Sequence, residues 1–79
     1  MTLTLHHHPE ADAIYIRLND LPYAVGEDLD HERRIDYAAN GEPVGIEILG
    51  VSEGIDTHGL PHETAISRLA KEHALKVFA

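Results

Sequence analysis

Apolar and polar residues alternate along much of the first fifty residues of this chain, and the pattern changes after that point. In residues 13–18, for example, Ile14, Ile16 and Leu18 are separated by single residues of different character. A period of two places successive side chains on opposite faces of a β-strand. After about residue 50 the apolar residues recur at intervals of three and four, which is the period of an α-helix. The pattern therefore predicts a sheet followed by a helix.

Short strands separated by turn-forming residues predict an antiparallel meander. The predicted strands cover residues 2–6, 13–18, 23–26, 33–37 and 44–49. Asn40-Gly41 is the strongest turn signal, because these two residue types adopt positive φ angles at low cost. The side chains expected to be buried on one face of the sheet are those of Ile14, Ile16, Leu18, Val44, Ile46 and Ile48.

The helix is predicted over residues 62–77. Pro61 suits a first helical turn, where a missing amide donor costs little. Glu63 complements the positive end of the helix dipole. One apolar stripe is formed by Ile66, Leu69, Ala70, His73 and Val77. We expect this stripe to pack against the sheet or against a second copy of the chain, with His73 a packed or boundary histidine.

Chain length limits the fold to one domain. A chain of 79 residues buries about 60% of its unfolded surface when it folds. The predicted class is α+β, namely a small antiparallel β-meander of four or five strands with one C-terminal α-helix. We divide the single domain 1–79 into a sheet region (1–50), a loop (51–61) and the helix (62–77).

Net charge narrows the choice of partners. The chain carries 14 acidic and 6 basic residues, which gives a formal charge of −8 at pH 7. Such a chain repels phosphate backbones, so we expect no nucleic-acid binding. Arg33 and Arg34 are adjacent, but Glu32 and Asp36 beside them prevent a basic patch. An acidic surface is suited instead to a basic protein partner, although it also serves simple solubility.

Cysteine content and hydropathy bear on location. The sequence contains no cysteine, which excludes a disulfide framework and a zinc-thiolate site and is compatible with a reducing cytoplasm. The first residues lack the basic start and apolar stretch of a signal peptide. No apolar run approaches the roughly 20 residues of a membrane span. We therefore expect a cytoplasmic protein that does not contact membranes.

Seven histidines are the most unusual feature of the composition. The run His6-His7-His8 is shorter than a purification tag, and we treat it as native. On a strand, His6 and His8 share a face about 6.6 Å apart. Two imidazoles fall short of the three or four ligands of a metal site, so exposed strand residues are favoured over adventitious metal binding.

The helix histidines do not improve the case for a metal. His62 and Glu63 begin like the zinc-protease motif, but Ile66 stands where its second histidine is required. His62 and His73 would lie about 16 Å apart along a helix, too far to share one ion. We predict no metal and no cofactor.

Carboxylates in the first half have mainly structural explanations. Asp12 is expected to cap its own turn, while an acidic ligand or metal contact at Glu10 and Asp12 is the alternative. Arg17 and Glu47 would form a cross-strand pair if their strands are neighbours, worth about 0.2–1 kcal/mol. The acidic segment 27–30 lacks the glycine and the spacing of a calcium loop and is expected to be a solvated turn.

Catalytic motifs are lacking. Ser52 and Ser67 do not lie in a nucleophile-elbow context, and there is no cysteine nucleophile. The glycines are scattered singly, unlike those of a phosphate-binding loop. Paired carboxylates remain open at this point, because such pairs meet only in three dimensions. We expect that the chain is not an enzyme, and we assign no catalytic residues.

Two long motifs resemble a known family. Residues 9–18 read PEADAIYIRL, and residues 35–49 read IDYAANGEPVGIEIL. The sequence resembles DUF2283, a family of small bacterial proteins with an opening D-P-E-A-D-A-L-Y-I-R-L and an ending V-D-Y-D-x-x-G-x-V-V-G-I-E-I-L. The resemblance covers residues 8–49 and departs from the family at His8 and Ala38, where the family has acids. Because some genes of the family adjoin genes for suspected toxins, the resemblance implies an antitoxin-like role as one form of binding function.

We therefore expect a non-catalytic protein-interaction module. A small sheet with two free edges invites pairing, and a single chain of this size has little core to spare, so a homodimer is predicted. The alternative is a small-ligand or metal-binding protein that uses histidine and acidic residues. A polar pocket would favour that alternative, whereas an exposed apolar patch would favour the interaction module.

Overall fold

A computed structural model describes residues 3–78, which form five strands and one α-helix. The strands are β1 (Thr4–His8), β2 (Ala13–Arg17), β3 (Val25–Asp28), β4 (Arg33–Tyr37) and β5 (Pro43–Leu49), and the helix is α1 (Glu63–Glu72). Short 3-10 helices, Pro9–Ala11 and Val51–Glu53, follow β1 and β5. The predicted α+β class, with an antiparallel sheet and one C-terminal helix, is confirmed. Residues 1, 2 and 79 of the predicted domain lie outside the described residues.

The order of strands across the sheet is β1-β2-β5-β4-β3, and all neighbours are antiparallel. Strands β3, β4 and β5 form a consecutive meander, which joins the β1–β2 pair where β2 meets β5. Strand β5 lies at the centre because its apolar residues match those of β2: Ile46 pairs with Ile16, and Ile48 with Ile14. β1 and β3 are therefore the two edges of the sheet.

The hydrophobic core lies on one face of the sheet. All six strand residues expected to be buried are at most 2% exposed, which confirms the predicted register. Ile66 and Ala70 of α1 pack on this face and are also buried, while Leu69 is half-buried. The matching periods of strands and helix thus produce a two-layer structure with an aliphatic core.

Strands β1 and β3 each lie two residues later than predicted. β1 runs to His8, because its pairing with β2 continues to the His8–Ala13 pair. β3 includes Glu27 and Asp28, so the prediction of a solvated acidic turn is wrong for those two residues. Backbone pairing with a neighbouring strand set these bounds, and it is not visible in local hydrophobicity.

The helix is shorter than the predicted 62–77. It begins at Glu63, after His62 in a left-handed conformation (φ 58°), so Pro61 does not lie in its first turn. It ends at Glu72, where Ala74 (φ 60°) reverses the chain and the Leu75 amide donates to the Ala70 carbonyl. His73 is exposed, so its placement in the apolar stripe was wrong. The helices within residues 3–78 are too short or too polar to cross a membrane.

The predicted loop 51–61 is part of the core. Its buried residues are Val51, Ile55, Thr57 and Leu60. Ile55 forms an isolated parallel bridge with Val77, so the segment after the helix returns to this loop instead of continuing the helix. Thr57 Oγ1 lies 3.0 Å from Ser67 Oγ of α1, which satisfies the buried hydroxyl.

Candidate functional site

Helix α1 covers one face of the sheet, and the alternate strand residues point to the opposite face, which we call the outer face. Two neighbouring rows of residues cross it. The first row is His6, Tyr15, Glu47, Arg34 and Asp28, and the second is Thr4, Arg17, Gly45, Asp36 and Gly26. Polar and charged residues dominate both rows, so the outer face is a surface and not a second core.

A hydrogen-bonded network lies at the centre of the outer face. The Tyr15 hydroxyl donates to Asp36 Oδ2 at 3.0 Å, and Arg34 Nε donates to Asp36 Oδ1 at 3.4 Å. Arg34 also donates to the Tyr23 hydroxyl at 3.4 Å, two residues before β3 begins. Both oxygens of the Asp36 carboxylate therefore have donors.

Two glycines allow these side chains to lie flat on the sheet. A Cβ atom at Gly45 would overlap the hydroxyl end of Tyr15, and one at Gly26 would overlap the guanidinium of Arg34. Gly45 and Gly26 flank Asp36 in the same cross-strand row. The glycines are thus spacers that let Tyr15 and Arg34 converge on Asp36.

The electrostatics of this network favour its protonated donors. Burial, and then the hydrogen bond to Asp36, raise the pKa of the Tyr15 phenol, which keeps it neutral and donating. Hydrogen bonds to Tyr23 and Asp36 raise the pKa of Arg34, which stays cationic. The network therefore presents a fixed arrangement of hydrogen-bond donors on the outer face. Its carboxylate, that of Asp36, already accepts hydrogen bonds from Tyr15 and Arg34.

Exposed apolar side chains gather along one edge of the sheet. This edge, formed by residues 23–30, we call the β3 edge. Tyr23, Val25 and Leu29 are 54%, 51% and 44% exposed and are three of the five exposed large apolar residues in the described part of the chain. Three carboxylates lie among them, namely those of Glu27, Asp28 and Asp30. The β3 edge is therefore both apolar and acidic.

The other two exposed apolar side chains, Leu49 and Phe78, line a cavity of about 220 Å³ beside the β3–β4 turn. Asp30, Arg33 and Asp56 also line it. Arg33 donates to Asp30 Oδ2 through Nε at 2.9 Å and to the carbonyls of Asp56 and His58. The hydrogen bond from Arg33 lowers the pKa of the Asp30 carboxyl. Since ligand pockets usually measure about 300–1,000 Å³, this cavity is small for a separate ligand.

Asp12 has a structural partner that sequence did not suggest. Its Oδ1 accepts the Ser52 amide at 2.9 Å, and its Oδ2 accepts the Ser52 hydroxyl at 2.7 Å. The prediction that Asp12 caps its own turn is corrected accordingly, because its carboxylate fixes the segment after β5. Glu10, the other acid of this turn, is exposed.

The predicted Arg17–Glu47 pair is not formed. Although β2 and β5 are neighbours, Arg17 lies opposite Gly45, and Glu47 lies opposite Tyr15. Arg17 donates instead to the carbonyls of Asn19 and Leu21, at 2.6 and 2.8 Å. It thereby fixes the chain that leaves β2.

The histidines are dispersed. His6 and His8 share the outer face of edge strand β1, as expected, whereas His7 points to the other face. His62 and His73 flank opposite ends of α1. Within residues 3–78, no group of three or more histidine, aspartate or glutamate side chains is placed to hold a metal ion.

Comparison with known proteins adds a family. The family model described as "Protein of unknown function (DUF2283)" matches residues 5–52, more than half of the chain. The chain belongs to the DUF2283 family. Searches of curated proteins and of solved structures gave no match.

The DUF2283 match extends three residues beyond each end of the resemblance noted in the sequence. It takes in all of the sheet except Thr4, so both the outer-face network and the β3 edge lie within the family region. Helix α1 lies outside it. Sequence reasoning missed the network because Tyr15 and Asp36 are brought together only by the strand order.

Proposed function

We propose that this DUF2283 protein is a non-catalytic protein-interaction module that binds a basic protein partner. The observation that carries the proposal is the β3 edge, where Tyr23, Val25 and Leu29 are exposed together. Single exposed apolar residues are normal on a protein surface, whereas their concentration on one edge is typical of a contact site.

Charge supports a basic partner. Glu27, Asp28 and Asp30 lie among the apolar residues of the β3 edge, and the whole chain carries −8. Complementary charge accelerates encounter and discriminates against wrong partners, while the apolar contacts supply affinity. The family resemblance favours one biological form of this proposal, namely an antitoxin-like role in which the partner is a basic toxin.

The state of the polar groups supports a non-catalytic role. Asp36 has donors on both oxygens, and Asp12 is held by Ser52. A general base must be within reach of a substrate proton, and these carboxylates are occupied by their own chain. We place the interaction in the cytoplasm, because small extracellular domains commonly depend on disulfides and this chain has no cysteine.

Site-specific crosslinking tests the proposal. A photoreactive amino acid is placed at Val25 and, as a matched control, at the exposed Arg68 on α1. In native cells, Val25 should crosslink a discrete basic protein that Arg68 does not. That protein, once purified, should bind the unlabelled chain, and binding should weaken as salt rises.

Two results would contradict the proposal. One is identical crosslinked products from both positions. The other is a purified candidate that binds equally well to the wild-type chain and to the variant Leu29→Ser. The product of the neighbouring gene is the first candidate for reconstitution.

A further inference from the structure

We propose that the β3 edge accepts an extended segment of the partner as a sixth strand, and that apolar and basic residues alternate in that segment. This inference rests on the proposed function and specifies its binding mode. Addition of a strand to an open sheet edge gives affinity through main-chain hydrogen bonds and specificity through alternate side chains.

The first step of the argument is the free backbone of β3. β3 pairs with β4 on one side only, and no other strand of residues 3–78 lies beside it. The Leu29 amide donates to the Arg33 carbonyl at 2.7 Å, so these two opposite residues form a hydrogen-bonded pair. Hydrogen-bonded and non-hydrogen-bonded pairs alternate along an antiparallel ladder, so the N–H and C=O groups of Asp28 and Gly26 point away from β4. These groups are available to a further strand.

The second step is the side-chain pattern. Asp28 and Gly26 lie on the outer face, while Val25 and Glu27 lie on the opposite face. By the same alternation, Leu29 follows on the face of Val25 and Glu27. A strand that pairs with β3 would place every second side chain beside Asp28 and the others beside Val25, Glu27 and Leu29. The Asp28 side chain is 77% exposed, although its Oδ1 lies 4.0 Å from Arg34 Nη1. Lysine or arginine suits the position beside Asp28, and aliphatic residues suit those beside Val25 and Leu29.

The third step concerns a second copy of this chain as occupant. Pairing β3 with β3 would bring Glu27 and Asp28 of both copies together, and like charges directly opposite one another are destabilising. The other edge, β1, has three exposed histidines and, in the described residues, no exposed large apolar side chain. The charge of β3 therefore disfavours self-pairing and favours a basic segment.

A synthetic peptide provides the test. The probe is a fluorescent peptide of about eight residues, long enough for a strand, in which lysine and valine alternate. We expect it to bind the full chain and to shift the backbone amide resonances of β3, and we expect a peptide of alternating glutamate and valine not to bind. If the lysine peptide does not bind, the inference is overturned.

N-methylation of the peptide separates strand addition from simple charge attraction. In an added strand that runs antiparallel to β3, Asp28 and the peptide residue opposite it would share a face and exchange both main-chain hydrogen bonds, so that residue is a lysine. N-methylation of the lysine amides should abolish binding, whereas N-methylation of the valine amides should leave it nearly unchanged. Equal binding by the two methylated peptides would overturn strand addition and leave the proposed function intact.

Charge-reversed variants give a second readout. Asp28→Lys should weaken binding of the lysine peptide by about tenfold or more, because it replaces attraction by repulsion at the paired position. Glu72→Lys, on the exposed surface of α1, changes the net charge equally and should change the affinity by less than about twofold. Melting curves establish that both variants fold. Equal weakening by the two variants would show a general charge effect and contradict a site at β3.

Discussion

Tyr15 and Asp36 are 21 residues apart in sequence and are separated by a whole strand in the sheet, yet the Tyr15 hydroxyl donates a 3.0 Å hydrogen bond to Asp36 Oδ2. The side chain of Tyr15 crosses β5 above Gly45, which has no Cβ atom to obstruct it. This contact therefore ties together β2, β5 and β4 on the outer face. It also explains why a glycine is found in the central strand, where glycine usually weakens a sheet.

Gly45→Ala should destabilise the protein by about 1–3 kcal/mol, because the added methyl group overlaps the Tyr15 side chain. Tyr15→Phe should cost about 1 kcal/mol through loss of the hydrogen bond. Urea denaturation measures both. The control is Gly45→Ala in a Tyr15→Ala background, where most of the clash should disappear; an equal cost in both backgrounds would refute the explanation.

Alkaline pH should selectively weaken the contribution of Tyr15. The pKa of Tyr15 is raised in the folded state above its unfolded value of about 10. At a pH between the unfolded and the folded pKa, the unfolded chain therefore binds fewer protons than the folded chain. Stability from this group is therefore complete below about pH 10 and is lost as pH rises through the folded pKa. The stability difference between the wild-type chain and Tyr15→Phe, followed from pH 8 upwards, should shrink above about pH 10. A difference that grows with pH would contradict this account.

Ile16→Ala should cost about 2–5 kcal/mol, because Ile16 is fully buried between α1 and the sheet. Leu49→Ala is the matched control on the outer face, where the side chain is 40% exposed, and should cost much less. Thermal melting of the two variants decides the matter. Similar melting temperatures for both would mean that the register of β2 is misassigned.

Asp12→Ala should cost about 2 kcal/mol or more. It removes both hydrogen bonds to Ser52 and places alanine at a left-handed φ of 51°. Ser52→Ala removes one bond and should cost about 1 kcal/mol, while Asp12→Gly should fall between the two, because glycine tolerates this φ. Glu10→Ala, in the same turn, should change stability by less than about 0.5 kcal/mol. If Ser52→Ala cost more than Asp12→Ala, this assignment would fail.

We expect the chain to form a homodimer at micromolar concentration, because the β1 edge is open within the described residues and Leu49 is exposed on the outer face. Light scattering at pH 7.5 measures the mass, and a monomer would refute the prediction.

Local pattern predicted much of this fold. Ile14, Ile16 and Leu18 alternate within one strand, and an alternating strand with one apolar face has essentially one way to bury that face. β4 was predicted with the bounds observed, and β5 to within one residue. The family was also readable from the sequence, because its two motifs lie within these same strands.

Tertiary structure decided what depends on partners distant in sequence. The helix was expected to reach Val77, but Val77 pairs with Ile55, and that long-range contact outweighs helical periodicity. The Tyr15–Asp36–Arg34 network and the open β3 edge both follow from the placement of β5 between β2 and β4. The sequence by itself determined which residues share a face, because side-chain direction is a local property of the backbone. Only the packed sheet determined which strands are neighbours, because strand order is selected by the burial of several apolar faces at once.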